Sequence, residues 1–307
     1  ENVFRLGLST FQWAVIILAG GALVVVFRKY STIDRIVKVI IAILSVSAVV
    51  AVIAAASQGF NPDPDYSTHF SFGRDLVFVL ALAGWMPSAI DISVWHSAWT
   101  TAKAEETGHK PKLKEALTDF NIGYLGTAVL SLIFLSLGAL VMYGKPDVFS
   151  DKGAVFAGQL IDLFTKNLGS FAYYIIAPAA LATMVSTSLT CLDAYPRVLG
   201  PTTKLLFRKK PKKSDSRNLH LFWLLFLVAG TAAVFAFFMN SMTEMVDFAT
   251  VVSFITAPVL GFMNLKAVTG KNMPEGTKPK PWLISLSIIG LIVLSGFSLY
   301  YLYVVFV

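Results

Sequence analysis

The sequence predicts an all-α, polytopic membrane protein. Of its 307 residues, 56% are hydrophobic and only 14% are charged, whereas a soluble domain usually carries about a quarter charged residues. The apolar residues lie in runs of about 17 to 25 residues, the length that crosses a bilayer. One run is interrupted at its centre by Gly84-Trp85-Met86-Pro87-Ser88-Ala89-Ile90-Asp91. These observations predict a single transmembrane domain over residues 1–307, with one broken helix.

Eight segments have the length and composition of transmembrane helices. They run roughly over Ser9–Phe27, Ile33–Ala56, Asp75–Trp99, Phe120–Tyr143, Phe171–Leu192, Leu221–Met239, Met245–Val268 and Trp282–Phe306. Between the fourth and fifth segments, apolar residues from Val155 to Leu168 recur at helical spacing around Asp162 and Lys166. This pattern predicts a short amphipathic helix at the membrane surface.

Lys and Arg residues orient the chain in the bilayer. They are concentrated in the connections after the first, third, fifth and seventh segments, which are therefore predicted to be cytoplasmic. The chain then begins outside, and a start at Glu1 without an initiator Met predicts that further segments precede it. The basic run 204–217 is interpreted as a topology signal, with binding to anionic lipid as the alternative. Because the positive charge lies in loops of a membrane protein, it does not indicate nucleic-acid binding.

The break in the third segment carries the functional prediction. Pro87 removes a backbone donor and clashes with the preceding turn, while Asp91 places an ionisable carboxyl near mid-membrane. A charge at that depth is costly and usually functional. Broken helices at the midplane expose backbone carbonyls and helix ends, with which secondary transporters bind small ions. The pattern therefore predicts transport of a small charged solute.

Three stretches resemble the Nramp-type divalent metal transporters. Residues 91–98, Asp-Ile-Ser-Val-Trp-His-Ser-Ala, are similar to the inner half of the family's broken sixth helix. Residues 246–258 resemble its tenth helix, and residues 182–190 resemble its hydroxyl-rich eighth helix. The resemblance implies a LeuT-like inverted repeat that works by alternating access, of which this chain would hold helices four to eleven. It also implies a multi-pass protein of the bacterial inner membrane.

The resemblance also implies that half of the metal site lies outside this sequence. The family's first helix is broken too, and its Asp-Pro-Gly-Asn motif supplies the main carboxylate. This motif is absent, and Asn61-Pro62-Asp63-Pro64-Asp65 is predicted to be only an extracellular loop. We expect missing N-terminal helices to complete the site.

The family's sixth helix can be placed on this chain in two registers. Anchoring on Met86-Pro87 keeps the family's thioether ligand but leaves three extra residues before His96. Anchoring on His96-Ser97-Ala98 needs no insertion and is preferred. It puts Ala89 at the thioether position, Met86 at the position of a carbonyl ligand, and Asp91 where the family has a His linked to proton movement.

The preferred register favours a hard cation. The family's metal-facing Gln on the tenth helix falls at Thr250, a shorter oxygen donor. The loss of soft and bulky groups favours oxygen ligands, which Mg²⁺ and Mn²⁺ prefer. An Nramp-related branch that carries Mg²⁺ is therefore a better match than the iron and manganese importers. The predicted metal-site residues are Met86, Ala89, Asp91 and Thr250, with His96 and Asp247 in a proton path or behind the ligands.

Each of these residues also has a structural interpretation. Met86 and His96 would be packing residues, Asp91 a paired carboxylate, Asp247 a helix N-cap, and Thr250 a residue bonded back to its own helix. The hydroxyl residues 186–190 would serve close helix packing. Trp95 and Trp99 are predicted to anchor the inner membrane interface.

Other functional classes remain open at this point. A LeuT-like carrier of an organic solute such as an amino acid would use the same broken helix, because the fold does not fix the substrate. A channel would need a filter or ring of charges, and no such repeat is visible. An enzyme is not expected, because no nucleophile–base pair or metal-ligand spacing appears. The lone Cys191 forms no internal disulfide, and no cofactor is expected.

Overall fold

The computed structural model describes most of the chain. The described residues are 7–27, 30–60, 71–85, 88–90, 92–144, 150–207, 213–237, 241–274 and 276–306. They form α-helices and contain no strand, which confirms the all-α prediction. The helices are α1 (Thr10–Phe27), α2 (Tyr30–Ser57), α3 (Phe72–Trp85), α4 (Ile92–Thr107), α5 (Leu113–Val141), α6 (Gly153–Leu168), α7 (Tyr173–Leu206), α8 (Lys213–Phe237), α9 (Met242–Thr269) and α10 (Pro281–Phe306).

Among the described residues, seven helices are long and apolar enough to cross a membrane, namely α1, α2, α5, α7, α8, α9 and α10. They correspond to seven of the eight predicted segments. The remaining segment, Asp75–Trp99, consists of two shorter helices, α3 with 14 residues and α4 with 16. Neither half reaches the length of about 20 residues that a bilayer core requires, so the predicted count of eight separate spanning helices is not confirmed.

The predicted amphipathic helix is α6, which follows the fourth predicted segment. Its apolar side packs against protein, because Leu163 joins a buried cluster with Ala51 and Ala55 of α2 and with Leu137 and Val141 of α5. The cluster ties α6 to two spanning helices.

The helix α7 is longer than the fifth predicted segment. It continues past Leu192 to Leu206 and contains Pro178, Pro196 and Pro201. The apolar run ends at Asp193, but this carboxylate pairs with Arg197 one turn further along the same helix. The pairing allows the helix to continue where the apolar pattern predicted an end.

The chain forms two compact units, which are described separately. The first comprises Glu1–Ser67, Val94–Pro111 and Leu132–Met242. Within it, α7 contacts α1, α2, α6 and α8. Gly21 of α1 lets that helix approach α7 closely, because a Cβ at this position would lie 2.8 Å from Leu192 Cδ1.

The second unit comprises Thr68–Ser93, Lys112–Ser131 and Thr243–Val307. Its apolar core joins Leu76 and Leu80 of α3 to Phe254 of α9, with Leu294 and Tyr301 of α10 against them. The first half of the broken helix, α3, is therefore held by α9 and α10. A single transmembrane domain over residues 1–307 stays a prediction.

Candidate functional site

The predicted interruption of the third segment is present. Helix α3 ends at Trp85 and α4 begins at Ile92, and residues 88–90 between them are not helical. The start of α4 uses the carbonyls of this stretch, since the Ile92 N–H donates to Ala89 O and the Ser93 N–H to Ile90 O, both over 3.2 Å. The Ser93 hydroxyl also donates to Ile90 O over 2.6 Å. These bonds fix the turn from which the inner half-helix starts.

Three residues at the break lie outside the described residues. They are Met86, Pro87 and Asp91. The roles of Met86 and Asp91 in a metal site therefore stay predictions. A helix end leaves its last four carbonyls without an intrahelical partner, and α3 ends at Trp85.

Helix α9 lies against α3, the first half of the broken helix. Gly84 approaches it so closely that a Cβ would collide with the backbone oxygen of Thr250 and would lie 3.3 Å from Phe254 Cβ. One residue later, the Trp85 indole N–H donates to Ser253 Oγ over 2.9 Å. Only a glycine permits this contact.

The same helix also contacts the break and the start of the inner half. A Cβ at Gly261 would lie 3.3 Å from Ile90 Cδ1. The Asn264 amide donates to Ser93 Oγ over 2.8 Å. Positions 250, 253, 254, 261 and 264 share one helical face at 3.6 residues per turn, so one face of α9 contacts the broken helix at Gly84, Trp85, Ile90 and Ser93.

Thr250 is buried on this face, with 4% of its surface exposed. Its hydroxyl donates to Val246 O over 2.7 Å and to Asp247 O over 3.1 Å. The predicted back-bond to its own helix is therefore confirmed. The hydroxyl hydrogen points into the helix, and the oxygen keeps a lone pair that can accept or coordinate.

Asp247 does not cap α9. The helix begins at Met242, so Asp247 lies in its second turn, where the backbone amides are already bonded within the helix. The N-cap interpretation is wrong because the helix starts before the apolar pattern indicated. The position of Asp247 in the helix does not test its predicted role in a proton path or behind the ligands, which stays a prediction.

His96 lies in the first unit, on the second turn of α4. It is half-buried, and its backbone carbonyl accepts a hydrogen bond from Thr100 Oγ1 over 2.9 Å. Ala89 and Thr250 both belong to the second unit. A proton-path role for His96 stays a prediction.

The two tryptophans of α4 contact residues of α7. Trp95 is only 7% exposed, and its ring meets that of Tyr195 edge to face at 4.8 Å. The Trp99 indole donates to Asp193 Oδ2 over 2.9 Å. Both residues contact protein, and their role as interface anchors stays a prediction.

The ion pair of Asp193 and Arg197 was not predicted from the sequence. Both residues lie beyond the predicted end of the fifth segment, and their i,i+4 spacing on a helix was the available signal. In the part of the chain that the structure describes, no group of three or more His, Cys, Asp or Glu side chains forms a metal cluster. A metal site at the break therefore stays a prediction.

Comparisons with known proteins agree with this architecture. The family described as natural resistance-associated macrophage protein-like, or Nramp, matches residues 3–304. The chain is 33% identical over 293 residues to "Uncharacterized protein PM0681" of Pasteurella multocida (strain Pm70). The match covers 94% of this chain and 65% of that protein, so the chain spans less than two thirds of its relative. No solved structure matches the chain.

The family match and the described helices identify the same kind of protein. The match extends over nearly the whole chain, and the described residues include seven helices suited to a bilayer. The chain belongs to the Nramp family of integral membrane proteins.

Proposed function

We propose that this protein is a secondary transporter that carries divalent metal cations across the membrane, with Mg²⁺ and Mn²⁺ preferred. The ion binds near mid-membrane at the break between α3 and α4, in the inner membrane of a bacterium. The observation that carries the proposal is the interruption between Trp85 and Ile92 in an otherwise spanning segment, with α9 packed along it.

The residue types at the break suit a hard cation. The last turn of α3 offers backbone carbonyls, Asp91 offers a carboxylate, and Thr250 offers a hydroxyl oxygen. In the preferred register Ala89 stands where a thioether would be, so the oxygen donors dominate. Mg²⁺ and Mn²⁺ favour such donors, and Mg²⁺ retains several waters because it dehydrates reluctantly.

Selectivity then depends on the space at the site. First-row transition metals bind more tightly than Mg²⁺ at most nitrogen and sulfur sites, so a site that accepts Mg²⁺ avoids those ligands. Ala89 and Thr250 are shorter than Met and Gln, and they leave room for a partly hydrated ion. Membership of the Nramp family supports divalent metal as the cargo, and it does not favour an organic solute.

Flux into liposomes that contain the complete protein tests the proposal. We expect saturable uptake of Mg²⁺ and Mn²⁺, reported by ion-sensitive dyes inside the vesicles. Asp91→Asn is expected to lower the uptake at least tenfold while the protein stays folded, because the carboxylate charge beside the ion is lost. The matched control is Asp34→Asn, since Asp34 pairs with Lys38 on the surface of α2 over 2.7 Å.

One result would refute the proposed transport, and another would remove the role of Asp91 in it. Absence of divalent-metal flux in folded, reconstituted protein would refute it, and wild-type uptake by Asp91→Asn would return Asp91 to a packing role. Calorimetry then separates the two functional roles of Asp91. A ligand role predicts weaker metal binding in the variant, and a proton-carrying role predicts intact binding with a changed pH dependence of uptake.

A further inference from the structure

A buried carboxylate outside the candidate metal site joins two helices of the first unit. Asp193 of α7 is 1% exposed. Its Oδ2 accepts from Arg197 Nε over 2.7 Å and from the Trp99 indole N–H over 2.9 Å. Its Oδ1 is also buried and has no hydrogen-bond partner among the described residues.

The contacts of Asp193 fall into two classes. The pair with Arg197 is made within α7 and stabilises that helix alone. The bond from Trp99 comes from α4 and crosses between helices. Asp193 is thus the polar centre of a junction between α4 and α7.

Aromatic packing strengthens the same junction. Trp95, one turn before Trp99, meets the Tyr195 ring of α7 at 4.8 Å and 73°, and the two tryptophan rings meet edge to face at 6.0 Å and 77°. Edge-to-face pairs are favourable but tolerate sliding. The charge-assisted hydrogen bond has a fixed donor and acceptor, so it adds a directional contact between α4 and α7.

The position of α4 in the chain gives this junction a functional meaning. Helix α4 starts at Ile92, directly after the break. Trp99 follows seven residues later, which is about 10 Å along the helix at 1.5 Å per residue. A contact at Trp99 therefore restrains the same helix that begins at Ile92.

We propose that Asp193 is a positioning residue that latches the inner half of the broken helix to α7 through Trp99. The latch holds α4 while an ion occupies the break, and it loosens when α4 moves to release the ion towards the cytoplasm. This inference rests on the proposed transport function for its role, but the latch itself is a property of the first unit.

The latch is tested first without transport. In a Cys191→Ala background, a cysteine replaces Ala102, which lies on the α4 face of Trp95 and Trp99 and is partly buried. Trp99→Phe keeps an aromatic side chain and removes the N–H donor, and we expect it to increase the thiol-labelling rate at Ala102→Cys about tenfold, as loss of a hydrogen bond to a charged group predicts. Thr101→Cys, on the exposed side of α4, is the control site and should label at an unchanged rate.

A double-mutant cycle identifies the partner. Asp193→Asn should also speed labelling at Ala102→Cys, and the double variant should not exceed the larger single effect, because both changes remove one bond. Asp34→Asn, a change in a surface i,i+4 pair, should have no effect. Unchanged labelling in Trp99→Phe, or additive effects in the double variant, would overturn the latch. Gel filtration selects folded protein, and Trp99→Phe keeps the test available where Asp193→Asn fails to fold.

Uptake kinetics then test the role in transport. A loosened α4 holds the ion less well, so Trp99→Phe should raise the half-saturating Mn²⁺ concentration about tenfold while the maximal rate per folded molecule is retained. A lower maximal rate with unchanged half-saturation would indicate a purely structural bond and would overturn the role. If the complete protein carries no divalent ion, the proposed function fails, and the labelling cycle still decides whether Asp193 holds α4.

Discussion

At the scale of single residues, the account depends on small side chains beside the break. Gly84 allows α3 to contact the Thr250 backbone, and Ala89 carries no sulfur where the family's ligand stands in the preferred register. Thr250 directs its hydroxyl hydrogen into its own helix. Each of these features leaves oxygen atoms as the polar groups at the proposed site.

Replacing Ala89 tests the absence of a soft ligand. We expect Ala89→Met to shift the preference from Mg²⁺ towards Cd²⁺ by about tenfold, equivalent to about 1.4 kcal/mol, because a thioether binds soft metals better than Mg²⁺. Competition between the two ions for uptake into liposomes measures the shift. Ala89→Leu adds similar bulk without sulfur and should weaken both ions. An equal response of the two variants would mean that bulk, and not sulfur, matters at this position.

At the scale of helices, α9 aligns the second unit's part of the broken helix. Its contacts involve Gly84, Trp85, Ile90 and Ser93. A helix interrupted by Pro87 cannot maintain its own axis through backbone hydrogen bonds. The neighbouring intact helix therefore fixes the geometry of the break.

Gly84→Ala tests this alignment. The added methyl group collides with the Thr250 backbone oxygen, and we expect a loss of about 1–3 kcal/mol, which is typical of overpacking. The thermal unfolding midpoint in detergent should fall accordingly. Gly290→Ala on α10 is the matched control, because its Cβ meets no atom within 4 Å and should be neutral or slightly stabilising. Equal midpoints for the two variants would contradict a close contact between α3 and α9.

The helices were more predictable from sequence than the contacts between them. The length of the apolar runs predicted seven segments that correspond to spanning helices. The residues around Pro87 predicted the break. The predicted end of α7 at Leu192 was wrong, because Asp193 and Arg197 pair within the helix and allow it to continue. The bond from Trp99 to Asp193 joins residues 94 positions apart, and no local periodicity indicates such a pairing. For the same reason, the sequence did not indicate which face of α9 contacts the break.

At the scale of the whole molecule, charge distribution predicts the orientation. The Lys and Arg residues lie in alternating connections, and their preference for the cytoplasm sets both ends of the chain outside. The second connection contains Asp63 and the fifth contains Lys212. The two connections are therefore expected on opposite sides of the membrane.

Labelling of intact cells tests the orientation. In the Cys191→Ala background, Asp63→Cys should react with an impermeant thiol reagent added outside, whereas Lys212→Cys should react only after the cells are opened. The reason is that the seven basic residues of the fifth connection oppose its translocation. Labelling of Lys212→Cys from outside would reverse the orientation and with it the assignment of α4 as the inner half-helix.

The position of a bound Mn²⁺ ion tests the central claim most directly. Anomalous scattering from crystals of the complete protein with Mn²⁺ locates the ion. We predict one peak at the break between α3 and α4, beside Ala89, with oxygen neighbours and retained water. A peak away from the break, or one bonded to the sulfur of Met86, would contradict the account.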